Sequence, residues 1–224
     1  MKKLYLYPFW LRVWHWTNAT LYILLILTGI SMHYSDPSDP FLPFKTARLI
    51  HNTAGVLLLF MYLDYLVSNF FTWNGKHYIP QFKGLPKRLF MQTRYYLYGI
   101  FKGEPHPFHP DEKSKFNPLQ QITYITIMYI FMPILILTGV FLLFPYLLPE
   151  TIFGVGGIWP AALTHVIVAY FLTLFTIGHI YLGTTGNTLT SNYKSMITGY
   201  HIHSEIIDLD KKETIHEEST DQPA

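Results

Sequence analysis

Eleven histidines and no cysteine stand in a chain of 224 residues. Two of those histidines, His165 and His179, share one long apolar run, Trp159 to Leu182. Fourteen residues apart on an α-helix is close to four whole turns, which puts the imidazoles about 40° apart on one face and roughly 21 Å apart along the axis. Each then lies a turn or two inside one edge of a hydrocarbon layer roughly 30 Å thick. A neutral imidazole is a good axial ligand for haem iron. Two at this separation would hold one haem near each membrane surface, and the rest of the chain must supply a partner for each.

Composition says what kind of element can position them. Half of the residues are hydrophobic and 13% are charged, which is the balance of a membrane protein. Four runs are long enough to span, at about 10–33, 47–72, 119–148 and 159–182. The first follows Met1-Lys2-Lys3, extends far beyond a signal-peptide core and has no clear small-residue cleavage site after it, so it reads as a retained signal anchor. The expected architecture is an all-α membrane protein, a four-helix transmembrane bundle formed by residues 1–200. Residues 201–224 read as a polar, largely disordered tail.

The connection from Trp73 to Asn117 holds eight of the sixteen Lys and Arg residues, and Lys45 and Arg48 are the only two on the opposite side. With an even number of spans, this bias places both termini and the long loop in the cytoplasm. Within that loop, Phe82 to Phe101 interleaves basic and apolar residues as an interfacial helix or an ordinary basic loop would. The absence of cysteine excludes disulfides, thiolate-held iron–sulfur clusters, catalytic thiols and covalent c-type haem. A formal charge of +2, with the basic residues interrupted by prolines and aromatics, argues against nucleic acid as a partner.

This topology matches the histidines in depth. His15, in Arg12-Val13-Trp14-His15-Trp16, stands level with His179, and His51, in Arg48-Leu49-Ile50-His51, stands level with His165. The expected ligand pairs are therefore His15 with His179 and His51 with His165, one per haem. Bis-histidine ligation leaves the iron no open position, which suits electron transfer. Arg12 and Arg48 each precede a ligand by three residues, on the same face and one turn nearer the surface, where haem propionates would point. His33 competes with His51, but Tyr34-Ser35-Asp36-Pro37 ends the first span beside it. Leu27-Thr28-Gly29 and Leu137-Thr138-Gly139 form an internal echo, where glycine would let a macrocycle or, more simply, a neighbouring helix approach closely. His77, His106, His109, His201, His203 and His216 carry no ligand pattern and read as solvated or without signal. Asp64, the one clear acid inside a span, is a candidate proton relay or a partner for an arginine such as Arg94.

The tryptophan-flanked His15, the Leu27-Thr28-Gly29-Ile30 segment, His51 opening the second span and the His165/His179 spacing together resemble the four-helix di-haem cytochrome b subunits of formate dehydrogenases, nickel-iron hydrogenases and thiosulfate reductases. The likeness runs from Tyr5 to Tyr200. It implies a bacterial inner-membrane subunit with two haem b groups, ligated by the four histidines paired as above. Such a subunit anchors iron–sulfur or catalytic partner subunits and passes electrons between them and a quinone, either menaquinone or ubiquinone. It is a quinone-reactive part of a larger oxidoreductase rather than a stand-alone enzyme. In the formate dehydrogenase members a quinone site beside the cytoplasmic haem uses an Asn and a Gln entering span three. Phe116-Asn117-Pro118-Leu119-Gln120-Gln121 is similar, which makes Asn117, Gln120 and Gln121, with His179, the quinone candidates; Asn117-Pro118 also reads as a plain helix cap.

Two other classes use such a chain. A membrane di-iron or copper oxygenase needs clustered histidine boxes at short spacing and an open coordination site, whereas these histidines occupy two levels. A non-redox anchor or transporter explains the apolar spans but leaves the four matched histidines without a role.

Overall fold

The computed structural model describes residues 2–108, 115–152, 154–186 and 188–203. In chain order its elements are β1 (Lys2–Tyr5), α1 (Phe9–Tyr34), α2 (Phe44–Phe71), α3 (Leu85–Leu97), α4 (Pro118–Thr126), α5 (Met132–Leu143), β2 (Thr151–Ile152), β3 (Val155–Gly156), α6 (Ile158–Gly183), α7 (Ser191–Thr198) and β4 (Tyr200–His203). Among the described residues, four helical stretches are long and apolar enough to cross a membrane: α1, α2, the run Pro118–Leu143 containing α4 and α5, and α6. Helix is the form expected of them, because hydrocarbon offers backbone N–H and C=O groups no partner outside their own segment. The expected tail lies, from residue 204 onward, outside the described residues, as do His109 and His216.

Prolines set several of the boundaries. Pro43 stands just before α2 in an extended conformation, φ −52° and ψ 131°, where a missing N–H costs the helix nothing. At the other end of the third span, α5 stops at Leu143, short of the expected Leu148. Phe144 leaves helical geometry at φ −126° and ψ 71°, as a residue preceding proline does, and Pro145 cannot donate to the next turn.

Two compact units divide the chain, Met1–Val13 with His179–Ala224 and Trp14–Gly178. In the first, β1 pairs antiparallel with β4, Lys2 opposite His203 and Tyr5 opposite Tyr200. Residues 201–203, expected at the start of the tail, thus belong to a strand. Gly199 makes the corner before it: its φ of +89° ends α7, its carbonyl accepts from Leu6 N and Tyr7 N, and a Cβ there would meet the Tyr7 carbonyl oxygen at 2.7 Å. No residue but glycine fits that corner without strain.

In the second unit all four spans contribute to one core: Leu21 from α1, Ala54, Leu58 and Tyr62 from α2, Ile127 and Met132 from the third span, and Val168 and Leu172 from α6. Trp14 fixes the rotation of α1 by donating from Nε1 to the Met61 carbonyl at 2.8 Å and stacking on Tyr65. His15 follows it by one residue, about 100° further round the helix.

A single π turn, Ile127–Phe131, joins α4 to α5, closed by the Met132 N–H bonding to the Ile127 carbonyl. In this wider register the next donor would be residue 133 and its acceptor Met128. Residue 133 is proline, so the Met128 carbonyl has no main-chain donor there, and the Tyr62 hydroxyl donates to it instead at 2.9 Å. Tyr62→Phe should therefore destabilise the bundle by about 1 kcal/mol. Adding Pro133→Ala, which restores an N–H, should recover most of that loss. Unfolding of the purified protein in mixed micelles checks both, and strictly additive losses would mean that the tyrosine and the proline are not coupled.

Candidate functional site

His51 stands two turns into α2 and His165 two turns into α6, both half-buried, at the end of their unit where residues 35–43 and 144–157 connect the spans. Their ring centres are 6.4 Å apart with planes 68° to one another. Two metal–imidazole bonds of about 2.0 Å, plus about 1.2 Å from each coordinating nitrogen to its own ring centre, require a separation of about 6.4 Å. The spacing fits two imidazoles that would hold one iron between them.

Each ring has a hydroxyl behind it. Thr28 Oγ1 lies 2.9 Å from His51 Nδ1, and Thr138 Oγ1 lies 3.0 Å from His165 Nδ1. The adjacent glycines keep the rings clear: a Cβ on Gly29 would stand 3.6 Å from His51 Cε1, and one on Gly139 would stand 3.3 Å from His165 Cε1. The echo Leu27-Thr28-Gly29 and Leu137-Thr138-Gly139 thus lies against a histidine ring of the neighbouring helix in each case. In the sequence the threonines carry no signal of their own beyond the repeat that contains them. His33, the competing ligand, is exposed and packs edge-on against Tyr34, while His51 faces His165.

Arg48, one turn before His51, is exposed and makes no hydrogen bond or ion pair with the described residues. Arg12 is otherwise engaged: its Nη1 donates to the Ile197 carbonyl near the end of α7, and its guanidinium lies over the Phe9 ring. His15 lies on α1 beside Trp16, their rings edge to face. His179 lies on the last turns of α6, where it is exposed.

Asn117 and Gln120 form a full capping box at the start of α4. The Asn117 side chain accepts from Gln120 N at 2.9 Å, the Gln120 side chain accepts from Asn117 N at 3.0 Å, and Pro118 occupies the first turn. This arrangement satisfies two backbone donors that a helix start leaves open. Asn117 Nδ2 also donates to the Tyr96 hydroxyl at 3.1 Å, and buried Gln121 donates to the His77 carbonyl at 3.1 Å. His77 itself, silent in the sequence, is buried, and His106 packs on Tyr95 rather than standing free in solvent.

Asp64 is exposed on α2 and does not pair with Arg94. Arg94 instead grips Glu104 with both terminal nitrogens, at 2.7 and 2.8 Å, and these bonds hold the Glu104 carboxyl below its ordinary pKa range. Glu104 folds back ten residues after Arg94 and meets its planar fork with a bidentate carboxylate. Outside the spans, burial and the neighbouring Lys76 charge lower the pKa of Lys115, which donates to Asn74. Among the described residues no three His, Cys, Asp or Glu side chains converge, so the clustered ligand set of a di-iron or copper oxygenase is not assembled there.

The family model for prokaryotic cytochrome b561 matches residues 6–199. The chain belongs to that family. It is 40% identical over 207 residues to cytochrome YdhU of Escherichia coli (strain K12), covering 90% of this chain and 76% of that one. It is 26% identical over 151 residues to a Ni/Fe-hydrogenase B-type cytochrome subunit of Rhodobacter capsulatus, covering 61% of this chain and 53% of that one. Membership of the cytochrome b561 family makes this a multi-pass membrane electron-transport protein and implies b-type haem, which the spacing of His51 and His165 fits.

The two glycines should respond unequally to a methyl group. Gly29→Ala adds an ordinary contact, whereas Gly139→Ala requires the His165 ring to give by a few tenths of an ångström. Haem per chain, measured as pyridine haemochrome in the purified protein, should stay near the parent value for Gly29→Ala and fall for Gly139→Ala. An equal response would show that ring clearance is not what these glycines supply.

Proposed function

We propose that this chain is the di-haem b membrane subunit of a larger oxidoreductase, carrying electrons across a bacterial inner membrane between a partner subunit and the quinone pool. The observation that carries the reading is the facing pair His51 and His165 at 6.4 Å in a member of a cytochrome b family. These two residues hold one haem. His15 and His179 hold the second, a pairing that rests on their matched depths in the first and fourth spans. The haems supply reversible one-electron chemistry, and the protein supplies ligands, placement and a low-dielectric sheath.

The residues between the two histidine levels form the apolar layer of Leu21, Ala54, Leu58, Val168 and Leu172, which keeps water and protons from the path between them. Arg48 offers a charge to a propionate one turn outside His51, and Arg12 is the corresponding candidate before His15. Both termini and the long basic connection face the cytoplasm, by the distribution of Lys and Arg. Quinone reacts on that side, near Asn117, Gln120, Gln121 and His179, and Asp64 is the candidate proton relay. The partner is an iron–sulfur or catalytic subunit, in keeping with the hydrogenase cytochrome relative.

A reduced-minus-oxidised visible spectrum with a haemochrome count tests the centre of this reading. Two b-type haems per chain are expected, His51→Ala and His165→Ala removing the same one, and His15→Ala and His179→Ala removing the other. A cofactor-replete, folded preparation without haem would overturn it. At the quinone side, Asn117→Ala should cost about 1 kcal/mol through the lost cap, whereas Asn117→Asp keeps a good capping acceptor. Slowed haem oxidation by added quinone in the aspartate variant, at unchanged stability, supports a quinone role for Asn117. Unchanged oxidation leaves it a cap.

A further inference from the structure

Threonines that bond back to the carbonyl four residues earlier recur through these spans: Thr20 to Trp16, Thr126 to Ile122, Thr173 to Ala169 and Thr176 to Leu172. That habit alone is a local property of threonine in helices. Thr28 and Thr138 differ in two respects. They are buried, at 1% and 8% exposure, and each also reaches the Nδ1 of a ligand histidine.

Proton counting then decides the direction of the bond. Thr28 Oγ1 stands 2.6 Å from the Leu24 carbonyl and Thr138 Oγ1 stands 2.7 Å from the Ile134 carbonyl. A carbonyl has no proton to give, so the single hydroxyl proton is committed to it. The contact with Nδ1 must be donated by the imidazole. Nδ1 therefore carries the proton, and Nε2 keeps the lone pair. The backbone of Leu25 or Leu135 also hydrogen-bonds the ring, and the path through the threonine runs from ring N–H to hydroxyl to helix carbonyl, each bond polarising the next.

We propose that Thr28 and Thr138 are matched positioning residues, which fix the tautomer and ring orientation of His51 and His165 and raise their basicity as iron ligands. A more basic ligand favours ferric over ferrous iron, so the pair holds the potential of that haem down. The bond back to the helix carbonyl holds each hydroxyl in place. The proposal rests on the reading of His51 and His165 as haem ligands, and it adds a residue behind each of them.

The full-length, haem-loaded protein in detergent tests it through Thr28→Val, Thr138→Val and the two serine variants. Potentiometric titration and low-temperature EPR of the ferric state provide the readouts. Each valine variant is expected to raise the midpoint potential of one b-type centre and alter its EPR signal while the other centre stays put, and serine should return both readouts toward the parent. Loss of that one centre in the valine variants, with its retention at parent potential in the serine variants, supports the same conclusion. Unchanged potentials and spectra in the valine variants would overturn it, as would equal displacement of both centres, or serine behaving like valine. Failure of the underlying haem reading would show separately, as a parent protein without b-type absorbance or a His51→Ala variant that keeps both centres.

Discussion

An iron held on both faces needs two imidazoles at a fixed distance with room left between them, and a packed bundle resists leaving room. Interiors close up to near-crystalline density unless something stiff holds them open. Here the stiffness comes from α2 and α6, which carry His51 and His165 with ring centres 6.4 Å apart. The room comes partly from Gly29 and Gly139, where the helix surface ends in a hydrogen atom beside each ring. Below this level the core turns conventional, with Leu21, Ala54, Leu58, Val168 and Leu172 filling the centre. The same four helices thus set two histidine rings opposite one another at one level and close into a filled apolar core at the next.

The third span has to meet a harder demand than the others. It must present Thr138 to His165 near one end and start from the Asn117 cap at the other. One residue advances a helix face by about 100°, and the π turn at Ile127–Phe131 takes in an extra residue, resetting the face of α5 relative to α4. Pro133 makes such a turn tolerable by never needing the carbonyl that the wider register would offer it. The Met128 carbonyl still requires a donor in a medium without water, and Tyr62 provides one from α2. A local irregularity in one span is thus tied to a side chain of another, which also fixes their relative rotation.

Much of this was legible in the sequence, for identifiable reasons. Long apolar runs and charge bias report the spans directly, since a bilayer acts on each residue according to its depth. The facing of His51 and His165 was legible because depth alone, under a four-span topology, brings two residues level. Details that depend on a second chain segment were harder to read. Thr28 and Thr138 stood in a visible echo, yet nothing in Leu-Thr-Gly says which ring the hydroxyl will meet. Asp64 and Arg94 looked complementary, but Glu104 lay nearer in the chain and reached Arg94 first. The pairing of β1 with β4 joins four-residue segments from the two ends of the described chain, too short for any periodicity. Asn117 carried two readings, quinone ligand and helix cap, and the capping box accounts for the side-chain oxygens of Asn117 and Gln120.

The threonines beside His51 and His165 also bear on the order in which the site is built. Thr28 and His51 are 23 residues apart, and Thr138 and His165 are 27 apart, each pair within one helical hairpin joined by a short connection. The two histidines themselves are separated by more than a hundred residues. Contacts within a hairpin close a shorter loop and form at lower entropic cost than contacts between hairpins. Each hairpin can therefore orient its own imidazole, with the proton on Nδ1, before the two hairpins associate. On the proposed reading, association in the membrane would then join two half-sites whose Nε2 lone pairs are already free to bind a metal. The repeated Leu-Thr-Gly is the sequence mark of that arrangement, one copy for each half.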